Sequence, residues 1–222
     1  PADNELLAAE ADALGLLADT GDEHAMFFPG LLDSFAVADG RRRLRANAMT
    51  RLDGFVNLEE VRGRYPKGVH PLDMAWTWRR VLWALGGAHE VGVLHGALVP
   101  SNILIHPAMH GVVLADWCYS VTRVDTTYPP LKAVVGARRD WYSKSILQRK
   151  APTTAHDVAL AARSMQFLME GADVPNLMKQ YFARCAGGDE SRSAYELLAQ
   201  FDTILERLGA PYYPRLFRPL NW

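Results

Sequence analysis

Asn102 and Asp116 are the residues whose type and spacing best suit chemistry. Each sits at the outer end of a short apolar run, Asn102 before Ile103 to Ile105 and Asp116 after Val112 to Ala115. The segment His106-Pro-Ala-Met-His-Gly111 lies between the runs. Short β-branched runs around a loop containing Pro and Gly read as a β-hairpin. Folding that hairpin about its turn brings Asn102 and Asp116 to the same open end. An amide oxygen beside a carboxylate makes a pair of hard donors, the kind Mg²⁺ takes together with phosphate oxygens. The same spacing also fits two polar residues that only bound a hairpin. Other chemistries have less support. His106 and His110 are four apart, but a hairpin loop does not give them the shared helix face a zinc pair needs. There is no Gly-x-Ser-x-Gly elbow.

The elements that would position this pair are mostly helical. Asp3 to Asp19 reads as a helix capped by Asp3 or Asn4, with Leu7, Leu14 and Leu17 on one face. Glu10 falls on that stripe, where a carboxylate either finds a partner or sits at the edge facing water. Phe27 to Val37 and Arg43 to Arg51 read as strands around Ala38-Asp39-Gly40. Val56 to Arg64 reads as a short helix. Pro71 to Glu90 is a longer one, with Pro in its first turn and Gly92 as its stop. His89 on its apolar stripe fits a satisfied core histidine. Thr154 to Glu170 is apolar nearly all round, so it should be the most buried helix. Thr154 and Asp157 have capping-box spacing. Val174 to Ala186 and Ser193 to Leu208 complete the helices, the latter with a Ser193/Glu196 capping box and Gly209 as its stop. Tyr119 to Ser145 is irregular and holds the hydroxyls Ser120, Thr126, Thr127 and Tyr128. The tail from Tyr212 to Trp222 is rich in Pro and aromatics and is expected to pack on the domain or to dock on a partner.

Composition narrows the function classes. The 222 residues are 49% hydrophobic with a net charge of −1, which fits a packed core and points away from a nucleic-acid binder or a disordered chain. The Arg41-Arg42-Arg43-Leu44-Arg45 run fits a solvated strand edge, with a binding patch as the alternative. Cys118 and Cys185 form neither a disulfide framework nor a zinc motif, as expected in a reducing, cytoplasmic setting. No apolar run reaches membrane length, so no membrane partner is expected. The chain begins at Pro1 rather than Met, which reads as a processed product or a piece of a longer one.

The central stretch resembles the catalytic and metal-binding loops of the protein-kinase superfamily, which read His-Arg-Asp-Leu-x-x-x-Asn, then a hairpin, then Asp-Phe-Gly. Here His95, Leu98, Pro100 and Asn102 fall in register, Asp116 takes the metal-binding position, and Gly96 replaces the Arg. The His-Gly start and the Asp-Trp ending are similar to the small-molecule phosphotransferase branch. The resemblance runs through nearly the whole chain in order. It implies an α+β, mostly helical fold: residues 1–51 as the remnant of an N-terminal lobe, 52–55 as the hinge, and 56–222 as the helical C-terminal lobe. The first three strands, the Gly-rich loop and the Val-Ala-Ile-Lys segment have no counterpart. Nor is there a recognisable Ala-Pro-Glu; Trp141-Tyr142-Ser143-Lys144-Ser145 stands in that region.

The resemblance also implies roles. Glu10 would be the helix glutamate that pairs with a strand lysine, which this chain does not offer. Asn102 and Asp116 would hold the metal, and Leu104 would floor the adenine. Asp157 would anchor the catalytic-loop backbone, and His95 would be structural. Ala97 stands at the position of the catalytic base and accepts no proton, so no catalytic residue is assigned. Losing a general base costs about 10²–10⁴-fold. The implied protein is a pseudokinase, a regulatory or binding module for a protein partner, with Mg-ATP bound weakly. The alternative is an active serine/threonine or small-molecule phosphotransferase whose missing strands lie upstream of Pro1.

Overall fold

The computed structural model describes residues 2–188 and 191–209. Their order is α1 (Ala2–Ala18), α2 (Asp22–Ala25), β1 (Leu31–Asp39), β2 (Arg42–Met49), β3 (Val56–Asn57), α3 (Leu58–Arg64), α4 (Pro71–Glu90), β4 (Val93–Leu94), β5 (Ile103–His106), β6 (Gly111–Leu114), β7 (Val121–Thr122), α5 (Lys144–Leu147), α6 (Thr154–Met169), α7 (Asn176–Ala186) and α8 (Ala194–Arg207). Short 3₁₀ turns cover Pro100–Asn102, Trp117–Tyr119 and Gly136–Trp141. The fold is α+β and about half helical. Among the described residues its strands form three small antiparallel sheets, β1-β2, β3-β5-β6 and β4-β7. No helix among them is long and apolar enough to cross a membrane. The tail from Tyr212 to Trp222 lies outside the described residues.

The centre of the core is shared by two helices. In α4, Pro71 sets the first turn and Gly92 follows the last at φ 75°, the left-handed position a glycine accepts freely. Trp78, Val81, Leu82, Ala84 and Leu85 of α4 are fully buried, as are Leu160, Ala161, Ala162 and Met165 of α6. The expectation that α6 alone would be the most buried helix is corrected on this point. Trp78 donates from Nε1 to the Tyr181 hydroxyl of α7 at 3.1 Å, and that hydroxyl donates onward to the Leu197 carbonyl of α8 at 2.9 Å. These two buried donors thus end in acceptors rather than in apolar contacts.

Local chemistry decided several other boundaries. The strand expected from Phe27 starts at Leu31, because Asp22–Ala25 forms a helical turn and Phe27 and Phe28 plug into the core. Val56 and Asn57 pair with β5 instead of joining a helix, and Asn57 forms a capping box with Glu60 that starts α3. Asn4 does not cap α1; its side chain bonds the Arg43 carbonyl and the Arg45 amide, tying α1 to β2. The Thr154/Asp157 capping box does not form: Thr153 takes the cap position but its side chain does not cap the helix, and Asp157 is used elsewhere. The Ser193/Glu196 box does form.

Glycine permits one tight junction. A Cβ on Gly87 of α4 would lie 2.4 Å from Cδ2 of His24. That ring cannot retreat, being stacked on Trp83 at 4.8 Å and bonded through Nε2 to the Tyr195 hydroxyl at 2.9 Å. Gly87→Ala therefore overpacks the junction, at a net cost of about 1–2 kcal/mol after the gain in helix propensity. Gly15 in α1 meets nothing within 4 Å, so Gly15→Ala should stabilise by about 0.5–1 kcal/mol. Urea denaturation of both variants checks this; equal effects at the two positions would contradict the packing account.

Candidate functional site

The loop from His95 to Asn102 is held by a carboxylate beneath it. Asp157, in the first turn of α6 and fully buried, accepts the His95 amide on Oδ2 at 2.7 Å and the Gly96 amide on Oδ1 at 2.8 Å. His89 of α4 approaches the same Oδ2 through Nε2 at 3.2 Å, so it is a satisfied core histidine. Burial alone would raise the Asp157 carboxyl. The His89 hydrogen bond and the nearby His89, His156 and His95 outweigh it and hold the group below its ordinary range.

Gly96 is required by geometry. Its φ is 75°, and a Cβ there would meet the Tyr119 carbonyl at 2.6 Å. An arginine in this position would have to displace backbone. The Gly96 carbonyl accepts the Tyr142 hydroxyl at 3.2 Å, and the Leu98 carbonyl accepts the Ser164 hydroxyl at 2.8 Å. His95 is oriented from both ring nitrogens. Nδ1 accepts the Ala97 amide at 3.2 Å, which leaves the proton on Nε2 to be donated to the Ala115 carbonyl at 2.9 Å. Burial lowers its pKa, in keeping with a neutral ring, and that ring packs on Trp117 with centroids 4.4 Å apart.

Ala97 is fully buried, and its carbonyl accepts the Asn102 side-chain amide at 3.0 Å. That bond fixes which way the Asn102 amide points. Its Oδ1 accepts the Ser101 hydroxyl at 2.8 Å and keeps a second lone pair. The hairpin pairs Ile103 with Leu114, and the Asn102 carbonyl accepts the Ala115 amide at 2.9 Å. Asp116, one residue on, is exposed with φ 62° and ψ 59°. A non-glycine residue held in the left-handed region is uncommon and gathers at functional sites. The Cys118 thiol donates to its Oδ1 at 2.8 Å, and no described residue donates to Oδ2. Burial, then this bond to Asp116, push the Cys118 thiol up, so it stays protonated. Asn102 and Asp116 thus stand at one end of one hairpin, each with a hard oxygen that keeps a lone pair. The described residues hold no cluster of three or more His, Cys, Asp or Glu side chains.

Glu10 is 4% exposed on the inner face of α1. Its partner is Asn47 of β2, whose Nδ2 donates to Oε2 at 3.0 Å and also to the Leu7 carbonyl at 2.8 Å. Burial raises the Glu10 carboxyl above its ordinary range; the Asn47 bond opposes this, and the charge of Asp116 adds to it. Leu104 lies half-buried in β5 between Asn57 and Val113. Asn102 closes a 3₁₀ turn just before the strand that carries Leu104. Ser120 is no accessible hydroxyl either: it is buried, and its Oγ donates to the Ala9 carbonyl at 3.3 Å.

Sequence reasoning missed Asn47, the Cys118 cap on Asp116, and the Tyr142 and Ser164 hydroxyls. A lone polar residue in a strand or helix carries no spacing signal, so only the fold brings these side chains to the loop. No family model matches the chain, and no curated protein sequence matches it.

The raised Glu10 pKa has a signed consequence. Between the ordinary value of 4.5 and its folded value, the folded state binds more protons than the unfolded chain, so stability falls as pH rises through that window. Glu10→Gln is neutral throughout and escapes the fall. The stability difference between the two proteins should move in the variant's favour from about pH 4 to pH 7, whatever offset the amide brings at acid pH. Denaturation midpoints at both pH values check it; a flat difference, or one moving towards the wild type, would contradict the buried-carboxylate reading.

Proposed function

We propose that this protein is a kinase-like binding or regulatory module that transfers phosphoryl groups poorly or not at all, with a protein-kinase-like C-terminal lobe and an N-terminal lobe reduced to α1, β1 and β2. The observation that carries the reading is Ala97. It stands inside a loop held by hydrogen bonds to Asp157, Tyr142, Ser164 and Ala115, at the position where the family carries a proton acceptor. The loop is built for rigid positioning, and the one side chain that would accept the acceptor hydroxyl's proton is a methyl group. Asn102 and Asp116 would hold Mg²⁺, which when bound neutralises phosphate charge. Glu10, bonded to Asn47 in place of a lysine, and Leu104 would line the nucleotide side. Two free cysteines support a reducing, cytoplasmic setting. The partner is a protein rather than nucleic acid or a membrane.

One observation favours a second reading. β1 and β2 form a two-stranded sheet of their own among the described residues, joined to α1, and Phe35, Val37 and Leu44 are exposed on one of its faces. A two-stranded hairpin is marginal by itself. Additional strands from a longer chain would complete the lobe and, with a base supplied from elsewhere, make an active phosphotransferase.

A titration of this chain with Mg-ATP, followed by thermal shift and by radiolabelled phosphate transfer in the same samples, tests the proposal. Binding should be no tighter than about millimolar, near −4 kcal/mol, and weaker still in Asp116→Asn. Transfer should stay far below the ordinary kinase range of about 1–100 s⁻¹, and Ala97→Asp alone should not restore it. Turnover in that range by the wild type would overturn the proposal. Micromolar binding that survives Asp116→Asn would remove the metal pair from it.

A further inference from the structure

The C-terminal half carries a pocket unconnected with the loop described above. It lies between the end of α6 and α7, has a volume of about 530 Å³, and is walled by Trp141, Phe167 and Phe182 with Arg163, Lys179 and Glu170 at its polar positions. Its aromatic walls are braced. The Arg138 guanidinium sits 4.8 Å from the ring centroids of both Trp141 and Phe167, which are 6.5 Å from each other at 60°. A smaller pocket of about 230 Å³ adjoins it, and the two share Trp141 and Arg163.

The charge in this place is unbalanced. Arg163 spends one Nη2 bond on the Ala186 carbonyl at 3.3 Å, while its buried Nε has no hydrogen-bond partner. His156, which lines the smaller pocket, likewise has a buried Nε2 without a partner. Lys179 makes no ion pair with any described residue, and the Glu170 carboxylate faces Arg62 at 3.6 Å. Arg163 keeps donors beyond the one spent on Ala186, and a guanidinium is the side chain best suited to take a carboxylate with charge-assisted bonds. Buried donors left unpaired are costly, which favours an acceptor arriving from outside.

We propose that this pocket is a binding site for a small aromatic carboxylate, its carboxylate on Arg163 with Lys179 beside it and its flat apolar body against Trp141, Phe167 and Phe182. Size and lining agree with the class: ligand pockets of about 300–1,000 Å³ are mainly apolar, with a few polar groups that set orientation. The proposal is independent of whether the chain binds nucleotide.

Calorimetry with indole-3-acetate as probe, and neutral indole-3-acetamide as its isosteric control, tests it on the full chain. The acid should bind saturably with one-to-one stoichiometry, and the amide about tenfold or more weaker. Arg163→Gln should weaken the acid about tenfold. Lys179→Gln, a change at an exposed side chain that leaves the fold intact, should weaken it in the same direction. The amide comparison and Lys179→Gln keep the test decisive if Arg163→Gln does not fold. No saturable binding up to about 10 mM, equal affinity for acid and amide, or binding indifferent to Lys179→Gln would each overturn the proposal; the first would mean that Arg163 Nε is satisfied by water alone.

Discussion

A carboxylate without solvent contact, accepting two consecutive backbone amides, is the constraint on which the rest of this structure depends. Asp157 bonds His95 and Gly96 at once, and His89 and its neighbours outweigh the burial that would raise its carboxyl. Removing one partner from such an arrangement typically costs about 3–5 kcal/mol. The arrangement connects three elements distant in sequence: α4 through His89, the loop through its backbone, and α6 through Asp157 itself. Once Gly96 is drawn down into its left-handed conformation, His95 can reach the Ala115 carbonyl and Trp117 can pack on its ring. The hairpin's open end, with Asn102 on one side and Asp116 on the other, is therefore located from below, by the helical core.

The upper part is tied differently. Asn4 and Asn47 each use a side-chain amide to join α1 and β2, and Glu10 is buried between β2 and the turn after Asp116. These hydrogen bonds, worth about 0.5–1.5 kcal/mol each, add to the apolar contact that Leu14, Leu17, Phe27 and Phe28 make with the core. The ribbon of β1 and β2, apolar on one exposed face, is the part whose stability most depends on what else it meets.

The sequence was most legible where a local rule and the tertiary packing agree. Pro71 opens α4 and Gly92 follows just after its C-cap Val91, and Ser193 with Glu196 starts α8. The hairpin over Ile103 to Leu114 follows from β-branched runs around a loop. It was least legible where one residue type has two uses. Asp157 carries a helix-start signature, but two loop amides outbid the local cap. Asn4 likewise leaves the cap position for β2. Phe27 and Phe28 look like strand residues and serve instead as a core plug. At the site, the Asn102/Asp116 end was visible from spacing. The Asn47 bond to Glu10 and the Cys118 bond to Asp116 were not, because they depend on strands and turns meeting across the fold.

Whether Asp157 clamps the loop as described is tested most directly by native-state hydrogen exchange of the His95 and Gly96 amides. Both should exchange only through global unfolding, with the same free energy and denaturant dependence as the most protected amides of α6. Exchange through local fluctuations, at a free energy well below that of the α6 core, would show that the loop opens independently and would contradict the account.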